Sequence, residues 1–168
     1  MTTLDEEKRA ARRLAGLADQ VGYASGREPW REALKWISRG RLGRRNGWPV
    51  MPTLTTPWQD TISGQRIGWR CRAANLGGDF NFAFAVDYQI CRQCRLGWVE
   101  EPHTPKRLRR CGLARAGLAA LRAEHPDFSW HTLGGHFRDS EPFWTAVGAG
   151  VTGGYQQRPL CVHVGGKG

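Results

Sequence analysis

The chain has 168 residues, with 25 Lys+Arg against 15 Asp+Glu and a formal net charge of +10. That length suits one domain able to bury a core without disulfides, and 40% hydrophobic content with eight tryptophans excludes a wholly disordered chain. No apolar run approaches the ~18–20 residues that span a bilayer, so no membrane contact is expected. The acidic-polar start from Met1 to Lys8 has no apolar signal core, and a cytoplasmic protein is expected. Lysines number four, leaving 21 arginines. Such a charge fits two uses: nucleic-acid binding, or arginines that hold the phosphates of a small ligand. Five cysteines, an odd count, favour metal ligation or free thiols over a disulfide framework.

Residues 4–21 carry Leu4, Ala11, Leu14, Ala15, Leu17, Ala18 and Val21 at helical spacing, with Lys8, Arg9, Arg12 and Arg13 on the other face and Gly22 as terminator. A second helix is expected over 28–38, with Pro29 in its first turn and Trp30, Ala33, Leu34 and Ile37 on its apolar face. A basic, glycine-broken loop follows at 39–47, and Pro49, Pro52 and Pro57 predict an extended connector over 48–60. Strands are expected at 65–73, 80–88 and 96–101, the last stopped by Pro102. A helix over 112–124 is closed by Pro126, a short strand spans 128–133, a short helix runs from Ser140 to Val147, and a last strand covers 155–164. This order predicts an α/β (α+β) fold with a mixed, mostly antiparallel sheet. A right-handed crossover makes the strands at 96–101 and 128–133 parallel. The division expected is a basic helical extension with connector over 1–60, a core over 61–164 and a loose tail over 165–168.

Between the strand end at Pro102 and the helix lies a basic loop with Lys106, Arg107, Arg109 and Arg110, and Gly112 opens the helix. Unsatisfied N–H groups at a helix N-terminus make an anion site. A glycine there admits a phosphate, and neighbouring arginines complete the cradle.

The run Arg109-Arg110-Cys111-Gly112-Leu113-Ala114 resembles the Gln/Arg-x-x-Gly-x-Gly/Ala signature of the GCN5-related N-acetyltransferase (GNAT) family, which binds the pyrophosphate of acetyl-coenzyme A. The helix that follows, and Ser140-Glu141-Pro142-Phe143-Trp144 through Gly148, resemble that family's long and short helices. The resemblance covers roughly residues 65–164. It implies an acetyl-CoA-dependent N-acetyltransferase whose coenzyme site comprises Val99, Arg107, Arg109, Arg110, Cys111, Gly112, Leu113 and Ala114. Three features depart from the family: a long loop from Pro102 to Arg109, Trp144 where many members carry the tyrosine that protonates the departing thiolate, and two helices ahead of the strands.

Direct attack of an amine on the thioester requires the amine to lose a proton, for which a carboxylate serves. Glu100 and Glu101 end the central strand, and alternation lets only one of them face the cleft, without deciding which. Tyr155 is the only tyrosine after the motif, and its phenol, of pKa ~10, suits the role of acid. His131 and His136 flank the end of the parallel strand and are candidates for substrate binding or for a structural role.

Cys91-Arg92-Gln93-Cys94 is a knuckle able to place two thiolates on one metal. In a sheet of the family's type the last strand runs antiparallel to the strand at 128–133. That carries Cys161 and His163 to the same edge, completing a Cys₃His structural Zn²⁺ site. The alternative is two ordinary turn thiols and a strand-end Cys and His. Cys71 and Cys111 have no partner spacing.

The acceptor is expected to be an amine, and the basic N-terminal segment favours an anionic one such as tRNA. A nucleic-acid-binding protein without catalysis is the competing reading, with Arg39, Arg41, Arg44 and Arg45 on phosphates and Trp48 and Trp58 stacked on bases. A coenzyme-binding regulatory relic is a third. A homodimer is compatible with the tryptophan-rich surface.

Overall fold

In the computed structural model the described residues are 3–24, 33–34, 36–39, 41, 56–76 and 82–165. Among them the chain forms seven strands: β1 (Val21–Tyr23), β2 (Trp58–Ile62), β3 (Arg70–Asn75), β4 (Phe82–Cys91), β5 (Leu96–His103), β6 (Ser129–Thr132) and β7 (Gln156–Gln157). It also forms three α-helices, α1 (Leu4–Ala15), α2 (Leu113–Glu124) and α3 (Glu141–Gly148), and a 3-10 turn at Lys106–Leu108. The strands make one sheet in chain order. The pairs β2–β3, β3–β4 and β4–β5 are antiparallel, and β1–β2, β5–β6 and β6–β7 are parallel. This is a mixed α/β architecture of the expected class.

Helix α1 begins with a capping box. The Thr3 N–H donates to Glu6 Oε2 at 2.8 Å, and the Thr3 hydroxyl accepts from the Glu6 N–H at 3.4 Å. The helix stops at Ala15 rather than at Gly22. The Gly16 N–H turns back onto the Arg12 and Arg13 carbonyls, and Leu17 onto Leu14, so the chain tightens into a turn. The apolar spacing continues through Leu17, Ala18 and Val21, which pack against the core from a turn and a strand. Val21 and Gly22 pair in parallel with Trp58 and Gln59. The expected helix over 28–38 and loop over 39–47 lie largely outside the described residues. Within them the Ser38 N–H donates to the Leu34 carbonyl at 2.9 Å, one helical turn.

The connector expected over 48–60 ends in a buried strand. Trp-Gln-Asp-Thr-Ile is too polar to read as one, yet Trp58 and Asp60 are fully buried. Trp58 donates its indole N–H to the Leu14 carbonyl at 2.8 Å. The Asp60 carboxylate accepts from Arg70, from Arg72 Nε at 3.0 Å and from the Tyr88 hydroxyl at 2.6 Å. The strand expected over 65–73 starts late, at Arg70. Ser63 Oγ accepts the N–H groups of Gln65 and Arg66 at 3.2 and 3.0 Å, a hydroxyl-capped turn that delays the strand.

Above one sheet face, Ala11 and Leu14 of α1 and Leu113, Leu118 and Leu121 of α2 join Trp58, Phe84, Val86, Tyr88 and Val99. Trp69, Cys91, Leu96 and Trp98 form a second, smaller cluster. Helix α2 lies close to the sheet at Gly117, where a Cβ would stand 2.6 Å from the Phe84 ring and 2.9 Å from the Trp58 ring. Both rings are fully buried, so a methyl group has no room without lifting the helix. Gly117→Ala is therefore expected to destabilise the fold by ~1–3 kcal/mol, read as a lower midpoint at unchanged slope in urea denaturation.

The last strand corrects the expectation of a ten-residue antiparallel strand over 155–164. β7 has two residues and runs parallel to β6, pairing His131 with Gln156 and Thr132 with Gln157. The chain then leaves the sheet edge and turns back. The Trp98 indole N–H donates to the Arg158 carbonyl at 3.0 Å, and Leu160, Cys161 and Val164 pack on the cluster around Trp98. Pro159 cannot donate to a ladder, which helps end the pairing there. No described helix is long and apolar enough to cross a membrane.

Candidate functional site

Parallel strands β5 and β6 pair only over Leu96–Trp98 and Ser129–His131. Beyond Trp98 a cleft of about 1220 Å³ opens, floored by Val99–Thr104, flanked by the first turn of α2 and by the segment after β6, and closed by Trp144 and Val147 of α3. Two peculiarities of β5 shape it. Ala85 opposes His103 while Asp87 opposes Glu100, so β5 carries one extra residue in this stretch. Glu101, with φ of +51°, sits in that bulge. A bulge suspends strand alternation, and so both Glu100 and Glu101 line the cleft, where simple alternation allowed one.

The two carboxylates have different surroundings. Glu100 accepts the Leu133 and Gly134 N–H groups at 2.5 and 3.0 Å, tying β5 to the segment that follows β6. Glu101, with its side chain 63% exposed, pairs with Arg66 at 3.0 Å. Arg66 also lies 3.7 Å from Glu100 and 3.9 Å from Asp87. Burial raises the Asp87 pKa above the ordinary carboxylate range, against the opposing pull of Ser63, Cys71 and Arg66.

At the other end of the cleft, Gly112 caps α2 with φ of +84°, a left-handed conformation that favours glycine. Helix α2 makes its first internal bond from the Ala116 N–H to the Gly112 carbonyl. The four N–H groups of residues 112–115 therefore have no partner within the helix. Arg109, Arg110, Cys111, Gly112, Leu113, Ala114 and Arg115 all line the cleft. Cys111 is buried, its thiol directed to the Arg109 carbonyl at 3.9 Å.

Of the residues singled out from sequence, Val99, Glu100, Glu101, Arg109, Arg110, Cys111, Gly112, Leu113 and Ala114 are brought to this one cleft. Arg107 and Tyr155 are not. Arg107 turns to α1, its Nε 3.1 Å from the Glu7 carboxylate. Tyr155 is fully buried under Trp144, with ring centroids 5.5 Å apart, and its hydroxyl accepts from Arg122 Nη1 at 2.6 Å. Burial lifts the phenol above its ordinary pKa, against the Arg122 guanidinium. The residues that sequence reasoning undervalued are Thr132, His136 and Trp144. The signal was a run of small and polar residues, Thr-Leu-Gly-Gly-His, at a strand end. The His136 ring stacks on Trp144 at 4.9 Å and 14°, and its Nε2 lies 2.8 Å from the Tyr155 carbonyl. A carbonyl only accepts, so Nε2 carries the proton and Nδ1 keeps a lone pair in the neutral ring. His131, by contrast, has both nitrogens engaged: Nε2 with the Ser129 hydroxyl at 2.8 Å and Nδ1 with the Gln156 carbonyl at 3.2 Å.

A second constellation lies at the opposite end of β5. The ligand atoms of Cys91, Cys94, Cys161 and His163 all fall within 4.8 Å of one another and could hold a metal ion. Residues singled out for the competing nucleic-acid reading are only partly among those described. Trp58 is buried in the core, and Arg44, Arg45 and Trp48 lie outside the described residues. No family model, curated protein or solved structure matches the chain.

Burial lowers the His131 pKa below the usual histidine value, opposed by its bond to the Gln156 carbonyl. The unfolded chain then binds a proton on acidification that the folded chain resists, so stability rises with pH across this interval. Stability is expected to fall as pH drops below ~6.5, and His131→Asn is expected to flatten that dependence in denaturation midpoints measured from pH 7.5 to 5.

Proposed function

We propose that the protein is an acetyl-CoA-dependent N-acetyltransferase on a GNAT-like fold. The observation that carries this reading is the single cleft between parting parallel strands, which joins an arginine-flanked helix N-terminus at one end to a bulged strand with two carboxylates and a histidine at the other. The first end suits a pyrophosphate: backbone N–H groups and a helix dipole favour the charge, and Arg109, Arg110 and Arg115 neutralise it. At about 1220 Å³, and lined by both the helix terminus and the bulged strand, the cleft has room for an extended ligand.

Transfer to an amine forms a nitrogen–carbon bond to the acetyl group and breaks the carbon–sulfur bond, with one proton leaving the amine and one reaching the thiolate. His136 is the group best disposed to carry that proton, since its tautomer is set by the Tyr155 carbonyl and its Nδ1 is left as an acceptor. Glu100 is committed to two backbone amides and positions the walls, while the exposed Glu101 and Arg66 border the acceptor side. Tyr155 is not used in this scheme, and neither is a tyrosine at position 144.

Calorimetric titration with acetyl-CoA tests the reading. Wild type is expected to bind, and Gly112→Trp, which fills the cradle, to bind at least tenfold more weakly. No binding by wild type at millimolar ligand overturns the proposal. In a thiol-release assay across a panel of primary amines, His136→Gln is expected to lose ~10²-fold or more in turnover while keeping acetyl-CoA affinity. Tyr155→Phe is expected to retain turnover within a few-fold.

A further inference from the structure

We propose that Cys91, Cys94, Cys161 and His163 bind one Zn²⁺ ion that braces the sheet, a site independent of the cleft and of acetyl transfer. Four ligand atoms from two segments about 70 residues apart in sequence converge within 4.8 Å of one another, and Cys94 Sγ stands 3.2 Å from His163 Nδ1. With Zn–S of ~2.3 Å and Zn–N of ~2.0–2.1 Å, a tetrahedral centre holds its ligand atoms roughly 3.5–3.8 Å apart. The observed separations, 3.2 Å for Cys94–His163 and at most 4.8 Å for every pair, bracket that range.

The backbone around the sulfurs is also that of a thiolate site. The Cys94 N–H donates to Cys91 Sγ at 3.4 Å, and the Val164 and Gly165 N–H groups close a turn on the Cys161 carbonyl at 3.2 and 2.8 Å. Each ligand pair is thus a short turn, and at Cys91 the amide points at the sulfur and stabilises negative charge there. Arg95, with φ of +52°, curls the chain out of the knuckle and into β5. Three thiolates with one imidazole select a borderline-soft ion over magnesium or calcium. With all four positions supplied by protein, the ion has no open coordination site for substrate, so its role is structural.

What the ion does follows from the topology. β7 is two residues long, and after it the chain crosses to the Trp98 side, held there by an indole–carbonyl bond and a small apolar cluster. The ion joins this segment to the β4–β5 turn. Leu160, Cys161 and Val164 of this segment pack on Trp69 and Trp98, and upstream of the ligands Gln157 and Arg158 bond the carbonyls of Leu133 and Thr132.

The test is elemental analysis of the purified full chain, with thiol titration and thermal unfolding before and after chelation. About one zinc per chain is expected, with Cys91, Cys94 and Cys161 unreactive until chelator is added. Substitution by Co²⁺ is expected to give the strong visible absorption of a tetrahedral, thiolate-rich centre. The thermal midpoint is expected to drop by roughly 10 °C or more on metal removal. Cys94→Ser is expected to lose the metal, and Cys71→Ser, a buried thiol outside the cluster, to keep it. If Cys94→Ser fails to fold, the chelation arm on wild type decides. Metal-free protein whose midpoint is unmoved by added Zn²⁺, or a Cys94–Cys161 disulfide found by mass spectrometry, overturns the proposal. Acetyl-CoA titration of the same preparations reads the cleft separately, so loss of either reading leaves the other standing.

Discussion

The fold is organised around a charge with no access to water. Arg72, in the middle of β3, is fully buried, with Nε on Asp60 at 3.0 Å and Nη1 and Nη2 on the two Glu124 oxygens at 2.9 Å each. Asp60 also receives the Tyr88 hydroxyl and the Arg70 guanidinium. Neighbouring carboxylates hold Arg72 above its ordinary pKa although burial works the other way. Isolating one member of such a set strands a buried charge, a cost of ~3–5 kcal/mol. The geometry demanded is correspondingly strict. Because Glu124 is the last residue of α2, the network fixes one end of the helix against β2, β3 and β4, and the Gly117 contact fixes its middle. The opposite end, about 18 Å away along the axis, is the arginine-flanked terminus that faces the cleft.

This arrangement reassigns much of the arginine content. Arg72 and Arg70 serve the buried network, Arg122 holds the Tyr155 phenol, Arg107 pairs with α1 and Arg66 bridges carboxylates. Arg109, Arg110 and Arg115 remain for the cleft among the described residues. Four of the first five, Arg66, Arg70, Arg72 and Arg107, are matched by carboxylates, so the net charge of +10 falls to the remaining basic residues.

The parts legible from sequence were those governed by local rules. Helix α2 announced itself by Leu113, Leu118 and Leu121 between Gly112 and Pro126, and the parallel β5–β6 pair followed from the handedness of its crossover. The Cys and His spacing anticipated the cluster that the structure assembles, although by an antiparallel route the chain does not take. What escaped was set by distant partners. β2 is polar because its carboxylate is satisfied by arginines on β3, which no local window contains. Val21 keeps helical spacing but is drawn into the sheet by Trp58. The facing of Glu100 and Glu101 depended on one extra residue in a strand, invisible to a count of alternation.

The buried and exposed arginines also respond to different variables. Ions in solution screen charges over roughly 8–10 Å at moderate salt and act mainly on groups that water reaches. Arg72 and Asp60 lie outside that influence, whereas Arg109 and Arg110 are exposed at the mouth of the cleft. Ionic strength thus becomes a handle that separates capture of an anion from integrity of the scaffold. The attraction at the mouth fades with added salt, while the Arg72–Asp60 pair, closed to water on both sides, keeps its hold.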